Sequence, residues 1–184
     1  MIITVTGSAG SGKSTVAKLL AQKLKYRHFS AGDLRRQIAS ERGMTIEEFN
    51  KLGETNPDTD RLADERLAEL GKQDGIVVDG RLGWRFIPRS FKVFLRIDEK
   101  VAAERILKDH LAGKRRSERK LKTVNDVLDE IAERTRSDVA RYKKWYHLDY
   151  RDPKHYDLVI DTTNLTPEQI VDRILIAAKK RSQD

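Results

Sequence analysis

Five short, mostly apolar runs punctuate the chain, at residues 2–6, 26–29, 76–79, 92–97 and 158–161. Each is the length of a strand and reads as an apolar run rather than a strict alternation, so all five are predicted as strands buried on both faces. Between them the period changes. Residues 14–25 carry Val16, Leu19, Leu20 and Leu24 at helical spacing, and 101–107 and 124–139 read the same way. Two further helix starts are marked by capping boxes, Thr45 with Glu48 and Thr166 with Gln169, the second with Pro167 at the first helical position and Ile170, Ile174 and Ala177 on one face. Strands alternating with helices in this way predict an α/β fold around a parallel sheet.

Composition narrows the picture. At 184 residues the chain suits one domain of the usual roughly 100–200 residues. With 38% hydrophobic and 36% charged residues it is expected to be globular with a densely charged surface. It contains no Cys, which excludes disulfides and thiolate metal sites. No apolar stretch approaches the ~20 residues that cross a bilayer, and the start from Met1 to Val5 lacks the character of a signal peptide, so a cytoplasmic protein without membrane attachment is expected. Lys and Arg outnumber Asp and Glu by 37 to 29, a net charge of +8 that favours an anionic partner. Nucleic acid is one such partner, but the basic runs are not interleaved with aromatics that could stack on bases.

The strongest local signal is Gly7, Ser8, Ala9, Gly10, Ser11, Gly12, Lys13 and Ser14, which fits G-x-x-x-x-G-K-[ST] without mismatch, directly after a predicted strand and before a predicted helix. A triphosphate must be wrapped by backbone N–H groups, and glycines permit that approach. The candidate roles follow: Lys13 on the β- and γ-phosphates of ATP, the Ser14 hydroxyl on Mg2+, and the Thr15 N–H on the α-phosphate. Asp79, ending the third strand, is the candidate acidic group that orients Mg2+ through water; the other reading of it is a carboxylate capping the next turn. The fold class is then a P-loop fold, a five-stranded parallel sheet flanked by helices.

A phosphate loop alone does not name a reaction. Transfer between two polyanions needs cations from several directions, and arginines stand where such cations belong. Arg35 and Arg36 follow Ser30-Ala31-Gly32-Asp33 after the second strand, and Arg81 follows Asp79-Gly80 after the third. Arg115, Arg116 and Arg119 crowd a basic stretch. Arg134, Asp138 and Arg141 share one face of a predicted helix.

These motifs together, with Asn56-Pro57-x-x-Asp60-Arg61 and an ending Tyr156-Asp157-Leu158-Val159-Ile160-Asp161-Thr162, resemble the nucleoside monophosphate kinases over essentially the whole chain, and among them the compact cytidylate kinases of archaeal type. Asp79-Gly80-Arg81 leans to that subclass, whereas Lys13 stands where many similar chains have Thr. The resemblance implies ATP as phosphoryl donor with Mg2+, and CMP or dCMP as acceptor. It implies that Arg36 and Arg81 bind the acceptor's phosphate, that Asp33 and Asp60 line its sugar or base side, and that Arg134 and Arg141 grip the transferring phosphate while Asp138 fixes them or touches the sugar. It also implies an acceptor-binding insert at about 30–72 and a lid at about 109–123 carrying Arg115 and Arg116 over ATP. The four histidines are read as structural or surface residues, and Tyr142, Trp145 and Tyr146 as core packing with base contact as the alternative. A monomer is expected. An adenylate- or shikimate-type kinase, or a non-catalytic protein that binds nucleotide and RNA, stand as the other readings.

Overall fold

The computed structural model describes residues 1–113 and 121–181. In chain order the described elements are β1 (Ile2–Gly7), α1 (Lys13–Leu24), β2 (Arg27–Ser30), α2 (Ala31–Glu41), α3 (Ile46–Gly53), α4 (Asp58–Leu70), β3 (Ile76–Asp79), α5 (Gly83–Phe86), β4 (Phe91–Arg96), α6 (Glu99–Leu111), α7 (Val124–Tyr146), β5 (Leu158–Asp161) and α8 (Pro167–Arg181). The strands form one sheet in the order β2-β3-β1-β4-β5, every pair parallel.

Alternate residues of the central strands point to opposite faces, and each face has its own helical cover. Ile3, Val5, Val77, Val93 and Leu95 pack against Val16, Ala17 and Leu20 of α1 and Ile170, Val171 and Ile174 of α8. On the other face Ile2, Ile76 and Val78 meet Leu67 of α4 and Ile87, and Phe94 meets Tyr142 of α7 together with Tyr150. Not every predicted strand is buried on both sides. β2 and β5 are only partly buried because they are the two edges of the sheet.

Helix ends follow the sequence signals. Thr45 and Glu48 form the expected capping box of α3, and Thr166 and Gln169 exchange the corresponding bonds ahead of α8. Thr123 with Asp126 makes a further box that starts α7, and Ser30 caps α2 by accepting from the Asp33 N–H. Each such cap is worth about 1 kcal/mol. β1 is the position where the strand order reverses, with β3 on one side and β4 on the other, so the crevice at its carboxyl end is where this architecture binds ligands.

Candidate functional site

The loop from Gly7 to Thr15 leaves β1 at that crevice. Its first residue runs so close to β4 that a Cβ on Gly7 would lie 2.2 Å from the Leu95 carbonyl oxygen, and the Ser8 N–H is tied to the same oxygen at 3.0 Å. Gly12 ends the loop at φ 81°, the left-handed region, and serves as the N-cap of α1. No side chain caps that helix and its first turn holds no acidic residue, so its initial N–H groups and positive end suit an anion. The Lys13 Nζ donates to the Ser8 carbonyl at 2.7 Å, which folds the cation back over the loop. The residues present therefore fit the phosphates of a nucleoside triphosphate.

Asp79 is buried, and its carboxylate is the hub beneath the loop. Its Oδ2 accepts from the Ser14 hydroxyl at 2.8 Å and more weakly from Ser30 at 3.4 Å, while its Oδ1 lies 2.6 Å from His28 Nε2. These contacts turn the Asp79 carboxylate toward the phosphate loop and β2. A hydroxyl and a carboxylate in contact are hard oxygen donors of the kind Mg2+ takes. Among the described residues no cluster of three or more His, Cys, Asp or Glu could hold a metal alone, so an ion there would need phosphate oxygens and water to complete its shell. His28, read from sequence as structural or surface, takes the structural part, its ring holding Asp79 from β2. The signal was available, because His28 and Ser30 are two apart on β2 and share a face.

Two residues past Asp79, Arg81 enters a buried ionic network. Its NH1 lies 2.9 Å from Asp138 Oδ2. Asp138 Oδ1 accepts from Arg141 NH2 at 2.9 Å, Arg141 Nε lies 3.2 Å from Asp60 Oδ2, and Asp60 Oδ1 accepts from Arg35 NH1. Arg141 is 1% exposed at its side chain, and the other four are at most 12% exposed. Three guanidinium groups face two carboxylates, leaving one uncompensated positive charge. Arg35 NH2 and Arg81 Nε are buried with no hydrogen-bond partner. Orphan cationic donors of this sort are costly unless an anion accepts from them. Burial, with Arg141 close by, pulls the Arg35 pKa below its ordinary value; burial also opposes the charge on Arg81, but there Asp138 together with Tyr150 and Tyr142 more than reverses it.

The network gathers Asp60, Arg81, Asp138 and Arg141 from the expected site and adds Arg35, held over the Phe49 ring at 4.8 Å and by Asn50 at 2.8 Å. Arg36 instead pairs with Asp33 at the surface. Arg134 lies on α7 one turn ahead of Asp138 and is exposed. Arg115, Arg116 and Arg119, with the middle of the expected lid, lie outside the described residues.

One more acidic group sits close by. Tyr146 donates its hydroxyl to Asp64, one turn beyond Asp60 on α4, and burial lifts the Asp64 carboxyl to about 7 despite that bond. Asp60 adds to the rise; Tyr146, Arg35 and Arg141 oppose it. A carboxyl whose folded pKa stands above its unfolded value of 3.8 contributes stability below that value, and the contribution is lost as pH climbs toward 7. Asp64→Asn should therefore flatten the fall of the melting temperature between about pH 4 and 7 relative to the unaltered chain; parallel profiles for the two proteins would contradict this. Tyr142 packs in the core as expected, while the Trp145 indole donates to the Gly53 carbonyl at 2.9 Å and joins α7 to α3.

A phosphate loop at the reversal point of a parallel sheet, with an arginine-rich site beside it, defines a P-loop kinase fold. The same fold is found in the solved shikimate kinase of Bacteroides thetaiotaomicron, with a TM-score of 0.66, 18% identity, and coverage of 97% of this chain and 98% of that one. The chain itself belongs to the cytidylate kinase-like family, whose profile matches residues 2–164. Curated relatives named cytidylate kinase include those of Methanocella arvoryzae, 42% identical over 89% of this chain and 88% of its own length, and Archaeoglobus fulgidus, 38% identical over 97% and 95%. Among the described residues no helix is long and apolar enough to cross a membrane.

Proposed function

We propose that this chain transfers the γ-phosphoryl group of ATP to CMP, and to dCMP, giving CDP or dCDP and ADP. The observation that carries the reading is the buried arginine network with its one excess positive charge, joined through Asp79-Gly80-Arg81 to the carboxylate that holds Ser14 of the phosphate loop. Two anion sites thus meet across two residues of chain. The names of the curated relatives supply the identity of the acceptor.

The acceptor's phosphate has a second pKa near 6, so it is largely dianionic at neutral pH and needs no general base. What the protein must supply is position and charge. In this reading the loop N–H groups and Lys13 hold the ATP phosphates. Ser14 holds Mg2+ directly and Asp79 through water, and the ion when bound neutralises charge on the β- and γ-phosphates. His28 and Ser30 keep Asp79 turned toward Ser14. Arg81, Arg141 and Arg35 take the acceptor's phosphate, with Asp138 and Asp60 fixing their forks, and Arg134 meets the transferring group from α7. Arg36 and Asp33 stand at the mouth of the site. Every side chain named comes from one chain, so the reading needs no second copy, and it places the protein in the cytoplasm, where its substrates meet.

The test is to incubate the protein with ATP labelled at the γ-phosphate, Mg2+ and CMP. The label is expected in CDP. Label released only as inorganic phosphate would contradict the assignment.

A further inference from the structure

One turn beyond the ionic network, α4 and the end of α7 line a cleft of about 390 Å³ whose walls include Asp64, Glu65, Phe86, Trp145 and Tyr146. Helix α4 links the cleft to the ionic network. Asp60 pairs with Arg141, and four residues further along α4 Asp64 pairs with Tyr146, an advance of about 6 Å at the rise of an α-helix. A ribose separates the phosphate of a nucleotide from its base by a comparable span. We infer that Asp64 reads the base of the acceptor, its Oδ1 accepting a hydrogen bond from the exocyclic amine of cytosine while aromatic side chains flank the ring. The inference rests on the CMP kinase reading and deepens it.

The two oxygens of Asp64 are not equivalent. Oδ2 is taken by the Tyr146 hydroxyl, and among the described residues Oδ1 receives no hydrogen bond. Asp64 lines the cleft, so Oδ1 is an acceptor that a donor on a bound ligand can take in place of water. Its orientation is fixed from behind: the Tyr146 ring meets Phe86 edge-on at 5.9 Å, and Trp145 is anchored on the Gly53 carbonyl. Such support is what a recognition site needs to discriminate. Cytosine presents N–H donors at the position where uracil presents O4, an acceptor. With Asp64 ionised, as it is above about pH 7, uracil would set two acceptors against each other, so a site built on Oδ1 favours CMP over UMP there.

Asp64→Asn separates this role from a structural one. Asn keeps an oxygen for the Tyr146 hydroxyl and sets an amide N–H2 where Oδ1 stood, a donor that suits uracil. The ratio of kcat/KM for CMP to that for UMP should fall about tenfold to a hundredfold, with part of the change a gain for UMP, and calorimetric binding of CMP and UMP without ATP should shift the same way. Equal losses for both acceptors, with the ratio within about twofold, would overturn the inference while leaving the kinase reading intact. Should Asp64→Asn fail to fold, Tyr146→Phe frees Oδ2 and lets Asp64 turn; a several-fold fall in the same ratio is then expected, and an unchanged ratio overturns the proposal. Absence of acceptor-dependent ADP from the unaltered chain would instead sink the kinase reading, and the inference with it.

Discussion

Lys13→Ala lowers kcat by about two to three orders of magnitude, the usual effect of removing one cation or donor aimed at charge that develops in the transition state. The fold should survive. Lys13 is not part of the buried core, and the bond from its Nζ to the Ser8 carbonyl lies within the loop itself. The loop's shape depends on Gly7 against β4 and Gly12 at the start of α1, neither of which the substitution touches. The expected result is therefore a circular dichroism melt close to that of the unaltered chain together with a collapse of turnover. ATP binding by calorimetry should weaken far less than kcat falls, because the backbone N–H groups and the helix end still hold the phosphates. Turnover within about threefold of normal would remove Lys13 from the chemistry.

Arg81→Ala acts on the other substrate. The guanidinium touches Asp138 and lies over the Tyr150 ring at 5.3 Å, and its Nε is one of the orphan donors of the network. Its loss should cut kcat/KM for CMP by about a hundredfold or more while ATP binding stays within about twofold. Stability should also fall, because Asp138 keeps only Arg141; breaking a buried pair costs about 3–5 kcal/mol at most. Arg81→Lys separates the two effects. It restores charge beside Asp138 but not the planar fork, so stability should recover more than acceptor use. Unchanged acceptor kinetics in the Ala variant, or full recovery of both in Lys, would remove Arg81 from the acceptor site.

What could be read from the sequence was what is local. The five strands were visible because each is a short apolar run, and the phosphate loop because its glycines, Lys13 and Ser14 are consecutive. The helix face of Arg134, Asp138 and Arg141 followed from spacing alone. What escaped depends on packing between distant segments. α2 was not assigned, since its polar residues outnumber the apolar ones that would mark a periodic face. Arg35 and Arg36 are adjacent on that helix, about 100° apart around its axis, and only the position of Phe49 and Asn50 on α3 decides that Arg35 turns inward. His28 meets Asp79 across 51 residues and Tyr146 meets Asp64 across 82, so a window of sequence shows only indirect marks of either pairing, such as the spacing of His28 from Ser30 on β2. Asp64 did carry one hint, since it lies at i+4 from Asp60 and must share its face.

The account stands most directly on the choice of acceptor. ADP formation from ATP and Mg2+ should be measured separately with CMP, dCMP, UMP, AMP, GMP and shikimate. The account predicts that CMP and dCMP stimulate ADP release most strongly and that shikimate does not stimulate it. ADP release that no acceptor stimulates, or that shikimate stimulates and no nucleotide does, would contradict it.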